Sequence, residues 1–161
     1  MEAKKIQGSA ITTSIIMMPE DANPAGNVHG GIIMKHVDES AGIVAFRHSR
    51  NNSVTASIDN LVFHYPVFVG DLLTLKASIN LAAKSSMEIG VRIESENLLT
   101  GEVRHNASAY LTFVALDKAG RPTQVPSLIF ETEDEKQRNS QAQTRRSNRL
   151  AAREQEKKQS I

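Results

Sequence analysis

The chain has 161 residues, none of which is cysteine or tryptophan, and only 4% of them are aromatic. Without cysteine it can form no disulfide, thiolate metal site or cysteine nucleophile, and this composition agrees with a reducing compartment. No run of residues approaches the roughly eighteen apolar positions of a membrane span, and the N-terminus lacks the apolar segment of a signal peptide. The sequence therefore predicts a cytoplasmic protein with no membrane partner.

The chain also lacks a charge of one sign, since 19 Lys and Arg stand against 18 Asp and Glu, for a formal net charge of +1. No strong field indicates nucleic acid as a partner. Residues 131–161 contain eight basic and six acidic residues, no aromatic residue and few apolar ones beyond Leu150 and scattered alanines. We predict one domain over residues 1–130 and a charged tail over 131–161, either helical or disordered. A chain ending near Glu135 is expected to fold and stay active.

The first predicted elements are a strand and a helix separated by a glycine-rich loop. Residues 10–18 read as a strand that Pro19 ends. A helix is predicted from Gly30 to about Phe46, because apolar residues recur at helical spacing at Ile33, Val37, Ala41 and Val44. Its other faces are also apolar, which predicts a helix buried nearly all round.

The following segments alternate between apolar and polar residues, as half-buried antiparallel strands do. The alternation is clear in residues 72–81 and 87–94, and residues 103–116 are apolar or small on both faces. In residues 54–65 the phase slips by one, which predicts a β-bulge. One buried helix followed by an antiparallel meander is an α+β layout. Since one helix covers only one sheet face, we expect another subunit to complete the structure.

Asp38 lies in the middle of the predicted apolar helix. A buried, unpaired carboxylate is costly, so Asp38 should be hydrogen-bonded, have a raised pKa or face a cleft. A contact with a neighbouring backbone segment is the simplest explanation. The preceding loop adds Asn23, which can orient a water, and Gly30 and Gly31, whose N–H groups at a helix start can meet an oxyanion. Together these parts suit acyl transfer to water.

The spacing Asn23-x2-Gly26-x3-Gly30-Gly31-x6-Asp38 resembles the signature of hotdog-fold acyl-CoA thioesterases, especially the cytosolic (brain-type) acyl-CoA hydrolases and their single-domain bacterial relatives. The similarity continues through residues 38–48, 54–71, 84–91 and 125–138. It implies a long central helix wrapped by a five- to six-stranded antiparallel sheet. It also implies hydrolysis of fatty acyl-CoA to fatty acid and coenzyme A, without a cofactor. Active sites would lie at the interface of a homodimer, commonly within a hexameric trimer of dimers.

The same resemblance assigns site residues. Asn23 and Asp38 fall on the catalytic positions and would come from opposite subunits, while the Gly31 N–H would meet the thioester carbonyl oxygen. Whether Asp38 activates water or attacks the carbonyl stays open. His29 and Gly30 would lie near the thioester. Because coenzyme A carries phosphates, cations and hydroxyls in matching segments are expected to contact it, namely Arg47, Lys84, Ser85 and Ser86.

Three alternatives compete with these assignments. A metal site at His29, His36 and Asp38 is disfavoured because the tight spacing of zinc ligands is missing, so we predict no metal. A non-catalytic acyl-CoA sensor on the same fold would not need Asp38 beside Gly31, and would normally carry a DNA-binding domain that this sequence does not show. A hotdog dehydratase would need a His and carboxylate pair acting on a β-hydroxyacyl chain, and no histidine fits that pattern.

Overall fold

The computed structural model describes residues 1–160 as a five-stranded antiparallel sheet with a long helix, α1 (Gly30–Ser49), on one face. A second helix, α2 (Glu133–Gln159), follows the last strand. Short 3-10 turns cover Ile6–Gly8 and Pro19–Asp21. The strands are β1 (Lys4–Lys5), β2 (Ile11–Ile16), β3 (Asn52–Ile58), β4 (Leu72–Ala82), β5 (Ser86–Glu96), β6 (Val103–Leu116) and β7 (Leu128–Ile129).

The sheet has the order β2-β4-β5-β6-β3, and β1 and β7 form a separate parallel pair. The alternation that predicted β4 and β5 is confirmed, because every second residue faces α1 and is buried. The buried set is Leu73, Leu75, Ala77, Ile79, Met87, Ile89, Val91 and Ile93. The predicted α+β layout is therefore confirmed.

Helix α1 starts at Gly30 as predicted and continues to Ser49, three residues beyond the predicted end. It ends where Arg50 adopts the left-handed conformation, with a φ of 56°. Near its last turn the buried His48 ring lies 2.8 Å from the Pro126 carbonyl oxygen, which links the helix end to the segment before β7.

The expectation that α1 is buried nearly all round is wrong for a single chain. The stripe of Ile33, Val37, Ala41 and Val44 packs on the sheet. Outside this stripe, Met34, Ile43 and Phe46 are 40%, 46% and 46% exposed. Burying a large apolar side chain contributes about 1.5–3 kcal/mol, so these side chains add stability only when something covers them.

The sheet contains three β-bulges, each created by one residue without a partner on the neighbouring strand. In β3 the extra residue is Ala56, in β4 it is Asn80, and in β6 it is Asn106. A bulge does occur within residues 54–65, but it lies at Ala56, whereas the phase slip that predicted it falls between Ile58 and Leu61, where β3 has already ended. The residues after β3 form a loop, because the chain there must leave the sheet to reach β4.

Helix α2 occupies the charged tail, for which the sequence alone left helix and disorder open. A capping box starts it: Thr132 Oγ1 accepts from the Glu135 N–H at 3.2 Å, and the Glu135 carboxylate accepts from the Thr132 N–H at 3.2 Å. Ala142 is its one fully buried apolar side chain, and residues 151–160 are exposed. In residues 1–160 neither α1 nor α2 has the length and apolar character that crossing a membrane requires.

Polar contacts attach α2 to the sheet face opposite α1. Arg145 donates to the buried Glu88 carboxylate at 2.7 Å, and its guanidinium lies 3.7 Å from the centre of the Tyr110 ring. Asn139 donates to the Asn80 carbonyl at 2.8 Å. Hydrophobic patterning does not detect contacts of this kind, which explains why the tail resembles a solvated segment in sequence.

Candidate active site

Asp38 is half-buried in α1, and a hydroxyl holds its carboxylate. Thr55 Oγ1 donates to Asp38 Oδ1 at 2.7 Å. Thr55 lies directly before the bulge residue Ala56, where the local twist of β3 is altered. Among residues 1–160 no Lys, Arg or His forms a salt bridge with Asp38, so the carboxylate keeps its second oxygen for another partner.

Asp38 lies at the wall of an open cavity of about 710 Å³ between α1 and β3. Most of the lining is apolar and belongs to the exposed face of α1 and to β3. The apolar or small lining residues are Gly42, Ile43, Phe46, Val54 and Phe113, and the polar ones include Thr55 and Arg47. A carboxylate beside a wide apolar surface suits a substrate with one polar group and a hydrocarbon chain.

Asn23 is fixed by the loop that precedes α1. Its side-chain oxygen accepts from the backbone N–H groups of Ala25 and Asn27 at 3.0 and 3.2 Å. Gly26 completes the turn with a φ of 88°, a conformation that costs other residues steric strain. The Asn23 Nδ2 amide has no hydrogen-bond partner within residues 1–160, so the side chain presents a donor rather than an acceptor.

Asn23 lines a second cavity, of about 320 Å³, whose walls come from the start of α1 and from the loop after β3. Asp38 is not among its lining residues, and Asn23 is not among those of the larger cavity. One chain therefore does not bring the two predicted catalytic residues into one cavity. The loop side of the Asn23 cavity consists of Phe63, His64, Tyr65, Pro66 and Val67.

His29 and Gly31 contact each other at the N-terminus of α1. His29 is the N-cap, and its Nδ1 accepts from the Gly31 N–H at 2.9 Å. The predicted oxyanion donor is thus occupied by an imidazole in this structure. For the Gly31 N–H to reach a substrate oxygen, the His29 ring has to turn away, after which the orphan N–H of the first helical turn becomes available.

The residues predicted to contact coenzyme A lie in two places. Arg47 lines the Asp38 cavity, and its guanidinium donates to the carbonyls of Gly8 and Ala10, both at 3.2 Å. Lys84 and Ser85 lie in the turn between β4 and β5, Ser86 is the first residue of β5, and none of the three lines that cavity. Their backbone carbonyls accept from Val125, Ala115 and Ala83 respectively, which fixes the turn.

The histidines of the predicted motif do not assemble a metal-binding group. Over the described residues 1–160, no three His, Cys, Asp or Glu side chains are placed to share a metal ion. His36 instead lies 3.6 Å from the Glu39 carboxylate, one turn along α1.

Sequence reasoning missed Thr55 and the loop that walls the Asn23 cavity. The pattern of residues 54–65 carried no signal for Thr55, because the phase slip falls after Ile58 and not at the observed bulge beside Thr55. Nothing in the sequence indicated that the residues after β3 would reach the loop of Asn23, because that contact depends on how β4 starts and where α1 lies.

The chain is similar to known acyl-CoA hydrolases. A family model described as the Thioesterase superfamily matches residues 25–102. An uncharacterized acyl-CoA thioester hydrolase of Bacillus subtilis is 37% identical over 83% of this chain and 78% of its own length. The cytosolic acyl coenzyme A thioester hydrolase of Rattus norvegicus is 42% identical over 74% of this chain, but the match spans only 32% of that protein.

Solved structures share the fold over nearly the whole chain. An acyl-CoA hydrolase of Bacillus cereus superposes with a TM-score of 0.92 at 35% identity, covering 98% of this chain and 96% of the other. An acyl-CoA hydrolase of Staphylococcus aureus, solved with butyryl coenzyme A, coenzyme A and coenzyme A disulfide, gives 0.90 at 34% identity over 98% and 96% of the two chains. An apo-hexameric acyl-CoA thioesterase gives 0.90 at 35% identity over 94% and 97%.

The Staphylococcus aureus enzyme has also been solved as alanine variants of an asparagine, of an aspartate fifteen residues later and of a threonine seventeen residues after that. Asn23, Asp38 and Thr55 have the same residue types and the same spacing in this sequence. The structural matches confirm the predicted hotdog fold. The chain belongs to the thioesterase superfamily, among its acyl-CoA thioester hydrolases.

Proposed function

We propose that this protein hydrolyses acyl-CoA thioesters to a free carboxylic acid and coenzyme A. The observation that carries the proposal is the Asp38 carboxylate, held by Thr55 at 2.7 Å beside an apolar cavity. The apolar lining suits the acyl chain, and the second oxygen of the Asp38 carboxylate has no hydrogen-bond partner in residues 1–160 and is available to the thioester or to a water. Relatives named as acyl-CoA thioester hydrolases, and a neighbour solved with butyryl coenzyme A, support this substrate class.

Asp38 can act in two ways that the same geometry supports. As a general base it takes a proton from water while the water oxygen attacks the thioester carbonyl; the C–S bond then breaks and coenzyme A leaves with a proton as the thiol. As a nucleophile it attacks the carbonyl directly; the C–S bond breaks, coenzyme A leaves and takes up a proton to become the thiol, and the acyl group stays on Asp38 as an anhydride, which water then hydrolyses to the free acid and the Asp38 carboxylate. In either case Thr55 fixes one carboxylate oxygen, and the Asn23 amide donates to the water or the carbonyl oxygen.

Labelled water separates the two mechanisms. In a single turnover in H₂¹⁸O, attack by water places the label in the released acid. After attack by the carboxylate, water can open the anhydride at the Asp38 carbon, which leaves label in the protein, or at the acyl carbon, which again labels the acid. Mass spectrometry of the peptide containing Asp38 therefore looks both for ¹⁸O and, after a rapid quench, for the bound acyl group, and either one identifies the nucleophilic route.

The complete site is proposed to form between two chains. Asn23 and Asp38 line separate cavities of one chain, and the apolar side chains of Met34, Ile43 and Phe46 lie exposed on α1 near Asp38. Pairing two copies would cover this surface and could bring Asn23 of one chain to Asp38 of the other. The hexameric state named for one structural neighbour supports further assembly as a trimer of dimers.

The remaining site assignments are proposals of the same kind. Gly31 would donate to the carbonyl oxygen after the His29 ring turns away, with Gly30 close to the thioester. Arg47, Lys84, Ser85 and Ser86 would contact coenzyme A, with Arg47 nearest to the Asp38 cavity. Residues 1–130 would form the thioesterase domain, and neither a metal nor a separate cofactor would take part. The cytosolic hydrolase among the relatives supports a cytoplasmic location.

The deciding experiment is a thiol-release assay with acyl-CoA esters of increasing chain length. We expect turnover that Asp38→Asn abolishes, with a preferred chain length that reports the depth of the apolar cavity. Saturable binding of acyl-CoA without release of the thiol, by a folded oligomer, would contradict the proposal and favour a sensor.

A further inference from the structure

We propose that Asn106 is a positioning residue for the Asn23 cavity, acting through the backbone of the loop after β3. This inference rests on the proposed function, because it concerns how the Asn23 side chain is held in place for hydrolysis. Asn106 lines neither cavity and touches no reacting group. It acts from behind the cavity wall.

Asn106 is a polar residue in an unusual place. It is fully buried, with 0% of its surface exposed, and it is the extra residue of the bulge between β5 and β6. A bulge turns a side chain away from the regular alternation of the strand. An apolar residue of similar size would fill the site without the cost of burying an amide, so the amide needs a hydrogen-bonding explanation.

The side chain and backbone of Asn106 both hold the loop that lines the Asn23 cavity. Its Nδ2 donates to the Tyr65 carbonyl at 3.2 Å and, at the longer distance of 3.5 Å, to that of Pro66. Its own carbonyl accepts from the His64 N–H at 2.8 Å. His64, Tyr65 and Pro66 are consecutive wall residues of the cavity.

The side-chain oxygen of Asn106 is buried without a hydrogen-bond partner in residues 1–160. The hydrogen bonds of Asn106 to the loop therefore come from its Nδ2 donor and its backbone carbonyl, and not from its Oδ1 acceptor. Leaving a buried polar atom unpaired destabilises the folded state. A residue that carries this cost while its side chain holds two wall residues and its backbone holds a third is better explained by the placement of the wall than by stability alone.

Hydrogen bonds continue from this wall to Asn23. The Val67 carbonyl, one residue past Pro66, accepts from the Val28 N–H at 2.8 Å. Val28 ends the loop in which the Asn27 carbonyl accepts from the Asn23 N–H at 2.7 Å. A shift of residues 64–67 would therefore move the loop that holds the Asn23 carboxamide.

The test compares Asn106→Ala with Asn80→Ala, its matched control. Asn80 is also a buried bulge asparagine that donates from Nδ2, here to Glu88 at 3.3 Å, but it lines neither cavity. Because a displacement of about 1 Å can cost 10²-fold in rate, we expect Asn106→Ala to lower kcat by about tenfold to 10²-fold. Asn80→Ala should lower the melting temperature but leave kcat within about twofold. If Asn106→Ala does not fold, Asn106→Ser keeps a short donor and is measured instead.

A double-variant cycle shows whether Asn106 acts through Asn23. If it does, Asn23→Ala with Asn106→Ala should have the kcat of Asn23→Ala alone, because the group being positioned is already absent. The positioning role would be overturned if the kcat losses of Asn23→Ala and Asn106→Ala multiply in the double variant, or if the Asn106 and Asn80 variants lose kcat equally. Either result would leave the proposed hydrolase intact. Full activity of Asn23→Ala would instead overturn the role of Asn23 and, with it, this route.

Discussion

The two faces of the sheet hold their helices in opposite ways. On one sheet face, α1 buries its apolar stripe against the strands, while its apolar side chains beside Asp38 stay exposed. On the other face α2 buries one alanine and is attached by Arg145, Asn139 and a third contact, Arg149 to Asp59 at 3.0 Å. Apolar burial is non-directional and scales with area, whereas polar attachment depends on a few exact partners. Substitutions on the α1 face should therefore affect mainly turnover, and substitutions on the α2 face should affect mainly stability.

The largest effect is expected on the α1 face. Asp38→Asn keeps the shape of the side chain but cannot take a proton or attack a carbonyl, so turnover should fall by about 10²-fold or more. Thr55→Val, which removes only the hydroxyl that holds Asp38, should give a smaller loss. Thiol release at saturating acyl-CoA measures both, with Asp134→Asn on the exposed start of α2 as the control. Near-normal turnover in a folded Asp38→Asn protein would refute the assignment.

The second prediction tests whether the open α1 face is completed by another chain. Asn23→Ala and Asp38→Asn should each be inactive, but dissociated and reassociated together they should regain about a quarter of wild-type activity. Half of randomly formed dimers then contain one chain of each kind, and each of these has one intact site. The inactive variants reassociated separately provide the control. No recovery despite verified subunit exchange, or a stable active monomer by sedimentation, would show that one chain supplies both residues.

The third prediction removes the attached helix. A chain ending near Glu135 is expected to fold and hydrolyse acyl-CoA, as the sequence predicts, but at lower stability because Glu88 and the outer face around Asn80 lose their cover. A chain ending at Leu150 keeps the contacts of Arg145 and Arg149, since residues 151–160 are exposed, and should match the full chain. The melting temperature and the turnover of both truncated chains are measured against those of the full chain. Loss of turnover with an intact oligomer in the shorter chain would assign α2 a role in the site.

The fourth prediction isolates one contact of α2. Arg145→Ala leaves the Glu88 carboxylate, 1% exposed at its side chain, without its cation, and breaking such a buried pair costs about 3 kcal/mol. Turnover should stay within about twofold, because Glu88 lies on the sheet face away from Asp38. Arg153→Ala, in the exposed end of α2, is the matched control and should change neither quantity. Denaturant unfolding gives the free energies; an unchanged midpoint for Arg145→Ala would mean that the pair contributes nothing.

The smallest effect is expected on the pH dependence of stability, through His48 at the end of α1. Burial lowers the pKa of His48 below its ordinary 6.5, so the folded protein keeps the ring neutral while the unfolded chain binds a proton. Stability contributed by His48 is thus complete above about pH 6.5 and is lost as the pH falls through the lower folded pKa. His48→Gln keeps a donor toward Pro126 without a titrating ring and should flatten the change. An identical pH dependence of unfolding in both proteins would contradict this role.

The sequence predicted the elements that have a regular hydrophobic pattern. Alternation predicted β4 and β5, and helical spacing predicted α1, because these hydrophobic patterns repeat along the chain. The Asn23-to-Asp38 motif indicated the family because its residues lie close together in the sequence. The Thr55 contact and the residues of the Asn23 cavity wall were not predictable in this way. They depend on where the bulges at Ala56 and Asn106 place single residues, and a bulge changes which side chains of a strand face the core without a regular sequence signal.

The sequence by itself determined the α+β layout, the apolar stripe of α1 and the presence of a carboxylate in that helix, since hydrophobic periodicity and chain order are local properties. The tertiary structure decided that α2 is attached, through Arg145 and Glu88, 57 positions apart in the chain. It also decided that Asn23 and Asp38 line different cavities of one chain. Such pairings are directional and involve few atoms, so they exist only after the sheet has brought distant residues together.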